Sequence, residues 1–381
     1  MSPPRPALQG LTVRVKDLRP NGTPPAVSLT VRASEAAELL RLIGVLIDDD
    51  QEGYDVGAER ITRLRAQLPE GLLADLTDLD GGSGVSFHVL SLLAADLPEP
   101  AEVDELTVAL TEDPGLGWRL LLSHHATGAD VADVERLEAV VTGEPDAIEA
   151  VVADLDALAE PPVGVAPLLA CTPQEHGQRL LSAIDALRGL WEELAGEAMS
   201  AIERDVAHRQ AQLEGGTPIA DIVMEATNGY ELSGDPAVHR IVLLPSFWIR
   251  PWLVVGRRAD AEVLTTVVAE EFLVLPPEAP SPALLKLFKA LADESRLKLL
   301  RRMSSGPVSL TEATAELEVA KATAHHHLSI LRQAGLVSIG GEGRASRYRL
   351  REDPPQAAAT ALTEYLQPHR RTAGTGREAA T

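Results

Sequence analysis

The stretch KATAHHHLSILRQAGLVSIGGEGRASRYRL, residues 321–350, narrows the possible folds more than any other part of the chain. Ala324, Leu328 and Leu331 fall at i, i+4 and i+7, on one face of a 3.6-residue helix. Gly335 follows the last turn, where a left-handed residue closes a helix and glycine takes that conformation without penalty. Val337 and Ile339 then alternate with Ser338, and Tyr348 and Leu350 alternate with Arg349, so two short strands flank the glycine-rich tip GGEGRAS. A helix that can lie in a groove, beside a basic hairpin that can reach a phosphate backbone, is the anatomy of a winged helix-turn-helix.

The charge of the chain at first argues the other way, since 381 residues carry a net −23. That charge is uneven. Residues 281–353 hold twelve Lys/Arg against eight Asp/Glu, and the part from Lys321 to Arg351 holds six against one. Screening over roughly 8–10 Å lets the local face, rather than the total, decide contact with phosphate. The length itself implies two domains. The single cysteine, Cys171, excludes a disulfide framework and a thiolate zinc site within one chain, and reads as a small buried apolar residue. MSPPRPALQG lacks the apolar core of a signal peptide. The longest apolar run, IVLLPSFWIRPWLVV (241–255), contains Arg250 and two prolines and is too short to span a bilayer, so a soluble, cytoplasmic protein is expected.

Taken in order, residues 1–9 read as a disordered tail, and LTVRVKDL (11–18) and VSLTVR (27–32) as strands. Ser34 with Glu35 opens a helix to Ile47, and the pattern stays mostly helical to about residue 160, with 160–167 a loop. Thr172 as N-cap and Pro173 at N1 start the longest helical pattern, which runs to about Leu213 with a kink expected from Gly177, Gly189 and Gly196. Leu180, Ile184, Leu187, Trp191, Leu194, Ala198 and Ala201 form a heptad-like seam, either a dimer interface or the core of its own domain. HRIVLLP (239–245), FWIRPWLVVG (247–256) and TTVVAEEFLVL (265–275) read as β-rich. Trp248, Arg250 and Trp252 there read either as the wall of an effector pocket with Arg250 as an anion contact, or as a core strand pair whose arginine snorkels. PPEAPSP (276–282) reads as a linker.

Beyond the linker, Ser281-Pro282 caps a first helix, Asp293 caps a second with Leu297, Leu300 and Met303 inward, and Ser309–Glu312 is a capping box opening a third. The fold class that follows is mainly α with small β elements. A larger, mostly helical α+β N-terminal domain (10–275) precedes a C-terminal winged helix-turn-helix (283–352), and a short helix and disordered tail (353–381) end the chain.

LFKALADESRLKLLRRM and VSLTEATAELEVAKATAHHHLSILRQAGLVSIGGEGRASRYRL resemble the ArsR/SmtB family of bacterial winged-helix repressors. The resemblance rests on A-D-x-x-R-L, H-L-x-x-L-R-x-A-G-L and R-x-Y-x-L in combination, and covers about residues 283–352. It implies a cytoplasmic homodimer on a palindromic operator, with recognition helices in successive major grooves and release by a ligand. Two features depart from the pattern. The stretch where metal-sensing members place cysteines is VSLTEAT, without cysteine, which excludes thiolate metal sensing there. Ala320 stands where a better N-cap is usual, a change costing about 1 kcal/mol against serine.

The expected DNA contacts are Lys321, Thr323, His325, His326 and Ser329 on the recognition helix, with Arg344, Arg347 and Arg349 in the wing. Three consecutive histidines point about 100° apart and cannot share one ion as an i, i+4 pair does, so no metal is expected; His327 reads as a packed core residue. No G-x-S-x-G, P-loop, H-E-x-x-H or G-x-G-x-x-G motif occurs, and neither an enzyme nor a cofactor is expected. The chain is therefore expected to be a sequence-specific transcriptional regulator, a repressor, that binds double-stranded DNA as a homodimer under a small-molecule effector. The alternative is a winged-helix protein-interaction module without DNA binding.

Overall fold

The strongest local signals in the chain are its helix caps, and they set where the elements begin. Thr172 and Glu175 form a reciprocal capping box, Ser34 accepts from the Ala37 amide at 3.1 Å, and Asp133 accepts from the Arg136 amide at 2.9 Å. In the computed structural model the described residues are 27–129, 131–159, 161–162, 164–232, 234–235, 237–258, 260–274, 280–340, 346–351, 359–360, 362–363 and 365–366. The expected tail at 1–9, the strand at 11–18, Arg344, most of the linker and most of 353–381 lie outside them.

The described elements begin with β1 (Ser28–Val31), α1 (Glu35–Ile47), α2 (Ala58–Arg65), α3 (Leu72–Asp80), α4 (Val85–Leu90) and α5 (Val103–Glu112). Then come α6 (Leu116–Ala129), α7 (Val134–Thr142), α8 (Pro145–Asp156), α9 (Val165–Leu169), α10 (Pro173–Glu214) and α11 (Ile219–Ala226). The strands β2 (Arg240–Ser246), β3 (Val254–Arg258) and β4 (Ala261–Val267) complete the larger body. Its sheet runs β1-β2-β4-β3, parallel across β1, β2 and β4, with β3 antiparallel at the edge.

One hydrophobic core joins this sheet to the helices, and α1 and the α10 seam lie inside it. Leu180, Ile184, Leu187, Trp191, Ala198 and Ala201 are buried in that core, with Leu194 packed at its margin, so the heptad-like spacing serves the chain's own interior. α10 is a single helix, and the expected kink does not interrupt it. Gly177 lies against the Pro114 carbonyl, where a Cβ would come within 2.2 Å, so this glycine permits a close crossing instead. A buried ion pair ties α1 to the sheet. Arg41 donates to Glu38, Ser91, Thr265 and the Pro245 carbonyl, while Glu38 accepts the Phe247 and Trp248 amides at 2.7 and 2.9 Å.

Several expectations need correction. Residues 165–167, the end of the expected loop, instead open α9 (Val165–Leu169), because Gly164 takes φ +93° and starts a turn of Val-Ala-Pro-Leu-Leu that buries Val165 and Leu168. FWIRPWLVVG is a strand only from Val254. Phe247–Leu253 is a connection whose first amides are bonded by Glu38 instead of a neighbouring strand. TTVVAEEFLVL leaves the sheet after Val267 and turns through a short 3-10 segment, Glu270–Phe272. Cys171 is half-buried, with its thiol toward the Pro167 and Leu168 carbonyls at 3.5 Å.

Candidate nucleic-acid interface

Ser281, Asp293 and Ser309 each accept an amide of the helix they precede, at 3.1, 2.9 and 3.2 Å. They start α12 (Pro282–Leu291), α13 (Glu294–Met303) and, after the short β5 (Val308–Ser309), α14 (Leu310–Leu317). α15 (Lys321–Gln333) follows, then β6 (Val337–Gly340) and β7 (Arg347–Leu350). The three strands pair antiparallel in the order β5-β7-β6. A second core, separate from the first, holds Leu287, Leu299, Met303, Ala313, Ala324, Leu328, Leu331, Val337 and Tyr348. Leu299, not Leu297, fills the inward position of α13 beside Met303, with Leu300 at the margin, and Leu297 is 48% exposed; the cap is the one expected, and the packing of α13 on α12, α14, α15 and β7 selects which side of the helix is buried. Gly335 has φ +69°, the left-handed closure of α15.

Burial along α15 follows the expected face: Ala324, Leu328 and Leu331 are inside, and Lys321, Thr323 and His326 are exposed. His325 and Ser329 are half-buried. Ala320 supplies no side-chain cap, which leaves the first-turn amides of α15 without a side-chain acceptor. Burial lowers the pKa of His325, with Arg332 adding to the effect, so at neutral pH its imidazole is uncharged. His327, expected as a packed core residue, is only half-buried beside the core face, and its buried Nδ1 lies 3.8 Å from Asp293 without a hydrogen bond. Arg347 and Arg349 are exposed on β7. Arg347 reaches Glu312 of α14 at 2.7 Å, and Arg349 lies 3.5 Å from Glu231 of the larger body. No group of three or more acidic, His or Cys side chains among the described residues is arranged to hold a metal ion.

One feature of this region escaped the sequence reading. The C-terminal end of α15 and the outer edge of β6 dock on residues 227–231, just after α11. Ile339 N–H donates to the Gly229 carbonyl at 2.8 Å and Glu231 N–H to the Ile339 carbonyl at 2.9 Å, which extends the wing sheet by one short segment. Side chains reinforce the pairing. Asn228 donates to the Gln333 carbonyl at 2.8 Å and accepts from Arg351 at 3.1 Å, Arg332 donates to the Thr227 carbonyl at 3.2 Å, and Ser338 donates to Glu231 at 2.8 Å. Ser338, expected on the polar outer side of its strand, is buried for this reason. The wing edge is thereby covered, as exposed strand edges in native proteins commonly are. The N-terminal turn of α15 stays open.

The effector-pocket trio separates. Trp248 is fully buried in the core, its ring 4.8 Å beneath the Arg60 guanidinium. Arg250 and Trp252 instead line a cavity of about 300 Å³ between the two bodies.

Three capped helices with a three-stranded wing around their own core define a winged helix-turn-helix. A family described as a helix-turn-helix domain matches residues 291–339. An uncharacterized HTH-type transcriptional regulator of Bacillus subtilis is 36% identical over 83 residues, 21% of this chain and 83% of its own. The biofilm growth-associated repressor of Agrobacterium fabrum is 35% identical over 92 residues, 22% and 79% of the two chains. The arsenical resistance operon repressor of Escherichia coli is 32% identical over 81 residues, 21% and 69%. The crystal structure of an ArsR family transcriptional regulator matches at 28% identity with a TM-score of 0.20, covering 22% of this chain and 90% of its own. The chain belongs to the ArsR family of helix-turn-helix transcriptional regulators. No helix among the described residues is long and apolar enough to cross a membrane.

Proposed function

We propose that the protein is a cytoplasmic, sequence-specific repressor that places α15 in the major groove of an operator and sets the wing on the flanking backbone. The observation that carries this reading is the open first turn of α15. Lys321 and Thr323 stand exposed beside uncapped amides, an arrangement that favours phosphate, with His326 on the adjacent outward face for base edges. His325 and Ser329 flank that contact, Arg347 extends it along the wing, and Arg344, outside the described residues, is kept as a DNA contact on the sequence reading alone. Arg349, held near Glu231, joins once the wing engages DNA.

The repressor acts as a homodimer. Leu285 and Phe288, one turn apart on α12, are 45% and 40% exposed, and with Leu297 they give the winged helix an apolar outer face suited to a second copy. The larger body is the regulatory module. Selection of duplexes bound by the full chain from a random pool tests the reading. Two half-sites about one helical turn apart are expected. Recovery of no preferred sequence would favour the protein-interaction alternative.

A further inference from the structure

We infer that the cavity between the two bodies binds a small carboxylate with an apolar body, and that its occupancy stabilises docking of the winged helix. This rests on the regulatory reading given above to the larger body. Both bodies line the space, with Asp55, Arg209, Arg250, Trp252 and Glu270 from the larger and Lys286 and Gln333 from the winged helix. At about 300 Å³ it sits at the lower end of the volumes that hold small ligands.

Three carboxylates (Asp55, Glu225, Glu270) balance three cations (Arg209, Arg250, Lys286) in the lining, but the unmet hydrogen-bonding capacity is one-sided. Among the described lining residues, the buried side-chain atoms without a hydrogen bond are Arg209 Nε, Trp252 Nε1 and Gln333 Nε2, all nitrogens that carry hydrogens and need an acceptor. Two cations converge on one carboxylate oxygen: Lys286 Nζ bonds Asp55 Oδ2, and the Arg250 guanidinium lies 3.4 Å from the same atom. Arg250 is only 5% exposed, and its other acidic neighbour, Glu270, is 4.0 Å away and already accepts the Ala283 amide. Those ion pairs are long for charge-assisted bonds, so the guanidinium retains donor capacity for a second carboxylate. Trp252, Leu253, Val267 and Val268 supply the apolar wall.

The ligand would touch Lys286 of α12 and Gln333 of α15 together with the larger body. It therefore favours the docked arrangement by whatever contacts are lost when the two part, and by reciprocity DNA changes its affinity by the same factor that it changes the affinity for DNA.

The test uses the full chain with sodium benzoate, neutral benzamide and inorganic phosphate as probes, read by tryptophan fluorescence and thermal shift. Benzoate is expected to quench saturably and raise the melting temperature with a Kd on the order of 1 mM. Benzamide and phosphate, and benzoate on Lys286→Met, should each be weaker by about tenfold. Trp252→Phe should lose most of the quench and, with the Nε1 donor gone, show a smaller thermal shift than wild type. Equal effects of benzoate and benzamide, an undiminished shift in Lys286→Met, or no response at about ten times that Kd would overturn the proposal. Tighter binding of phosphate than of benzoate would overturn the apolar part of it. None of these readouts needs DNA, so a chain that binds no duplex sinks the repressor reading and leaves the cavity result standing.

Discussion

Removing the Asn228 side chain should loosen the wing from the larger body without disturbing either core. Asn228 has φ +53°, which glycine adopts freely, so Asn228→Gly deletes the side chain without backbone strain at that position. Two bonds are lost, one to the Gln333 carbonyl at 2.8 Å and one from Arg351 at 3.1 Å. A neutral bond is worth about 1 kcal/mol and a charge-assisted one about 1.5 kcal/mol, giving about 2.5 kcal/mol less resistance to seam opening. At 1.36 kcal/mol per decade this makes the opened state roughly 70-fold more populated. Amide hydrogen exchange reads it directly. The Ile339 and Glu231 amides, which close the pairing across the seam, should exchange between tenfold and a hundredfold faster, while amides in the buried middle of α10, such as Leu187, should not change. Wild-type rates at Ile339 and Glu231 would show that the side-chain bonds contribute nothing to docking.

Other outcomes follow from the same structure. Lys321→Ala should weaken operator binding and flatten the dependence of log K on log salt by about one unit, measured by titration at several salt concentrations; an unchanged slope removes Lys321 from the phosphate contact. Arg41→Met leaves Glu38 buried without its cation and should cost about 3 kcal/mol in denaturant unfolding, although the two amides on Glu38 remain. His88, His125 and His176 are buried with pKa values lowered by desolvation from 6.5 to about 3, 4 and 4. The unfolded chain therefore binds more protons between those values and 6.5, and stability falls on acidification through that window. Going from pH 7.5 to 5.5 should cost about 1.4 kcal/mol for each histidine, or about 4 kcal/mol together, and a pH-independent unfolding free energy would contradict their burial as neutral rings. Asp48, Asp80 and Asp205, whose carboxyls burial pushes above the usual carboxylate range, act in the opposite direction.

Features that depend on neighbours a few residues apart could be read directly from the chain. The Ser309 capping box, the Thr172, Ser34 and Asp293 caps, the left-handed Gly335 and the Ala324-Leu328-Leu331 face were all legible, because each arises within about one or two helical turns. The exposed Lys321, Thr323 and His326 follow directly from that face. Tertiary structure alone decided the rest. Nothing local distinguishes Leu297 from Leu299 until the packing of α13 against α15 is fixed, nor Trp248 in the core from Trp252 at the cavity. The seam joins Gly229–Glu231 to Ile339, more than a hundred residues apart in sequence, and periodicity carries no information about which distant backbone will close an exposed strand edge. Ser338 marks that limit. Alternation places it on a polar face, and it is buried because a carboxylate from the other body reaches it.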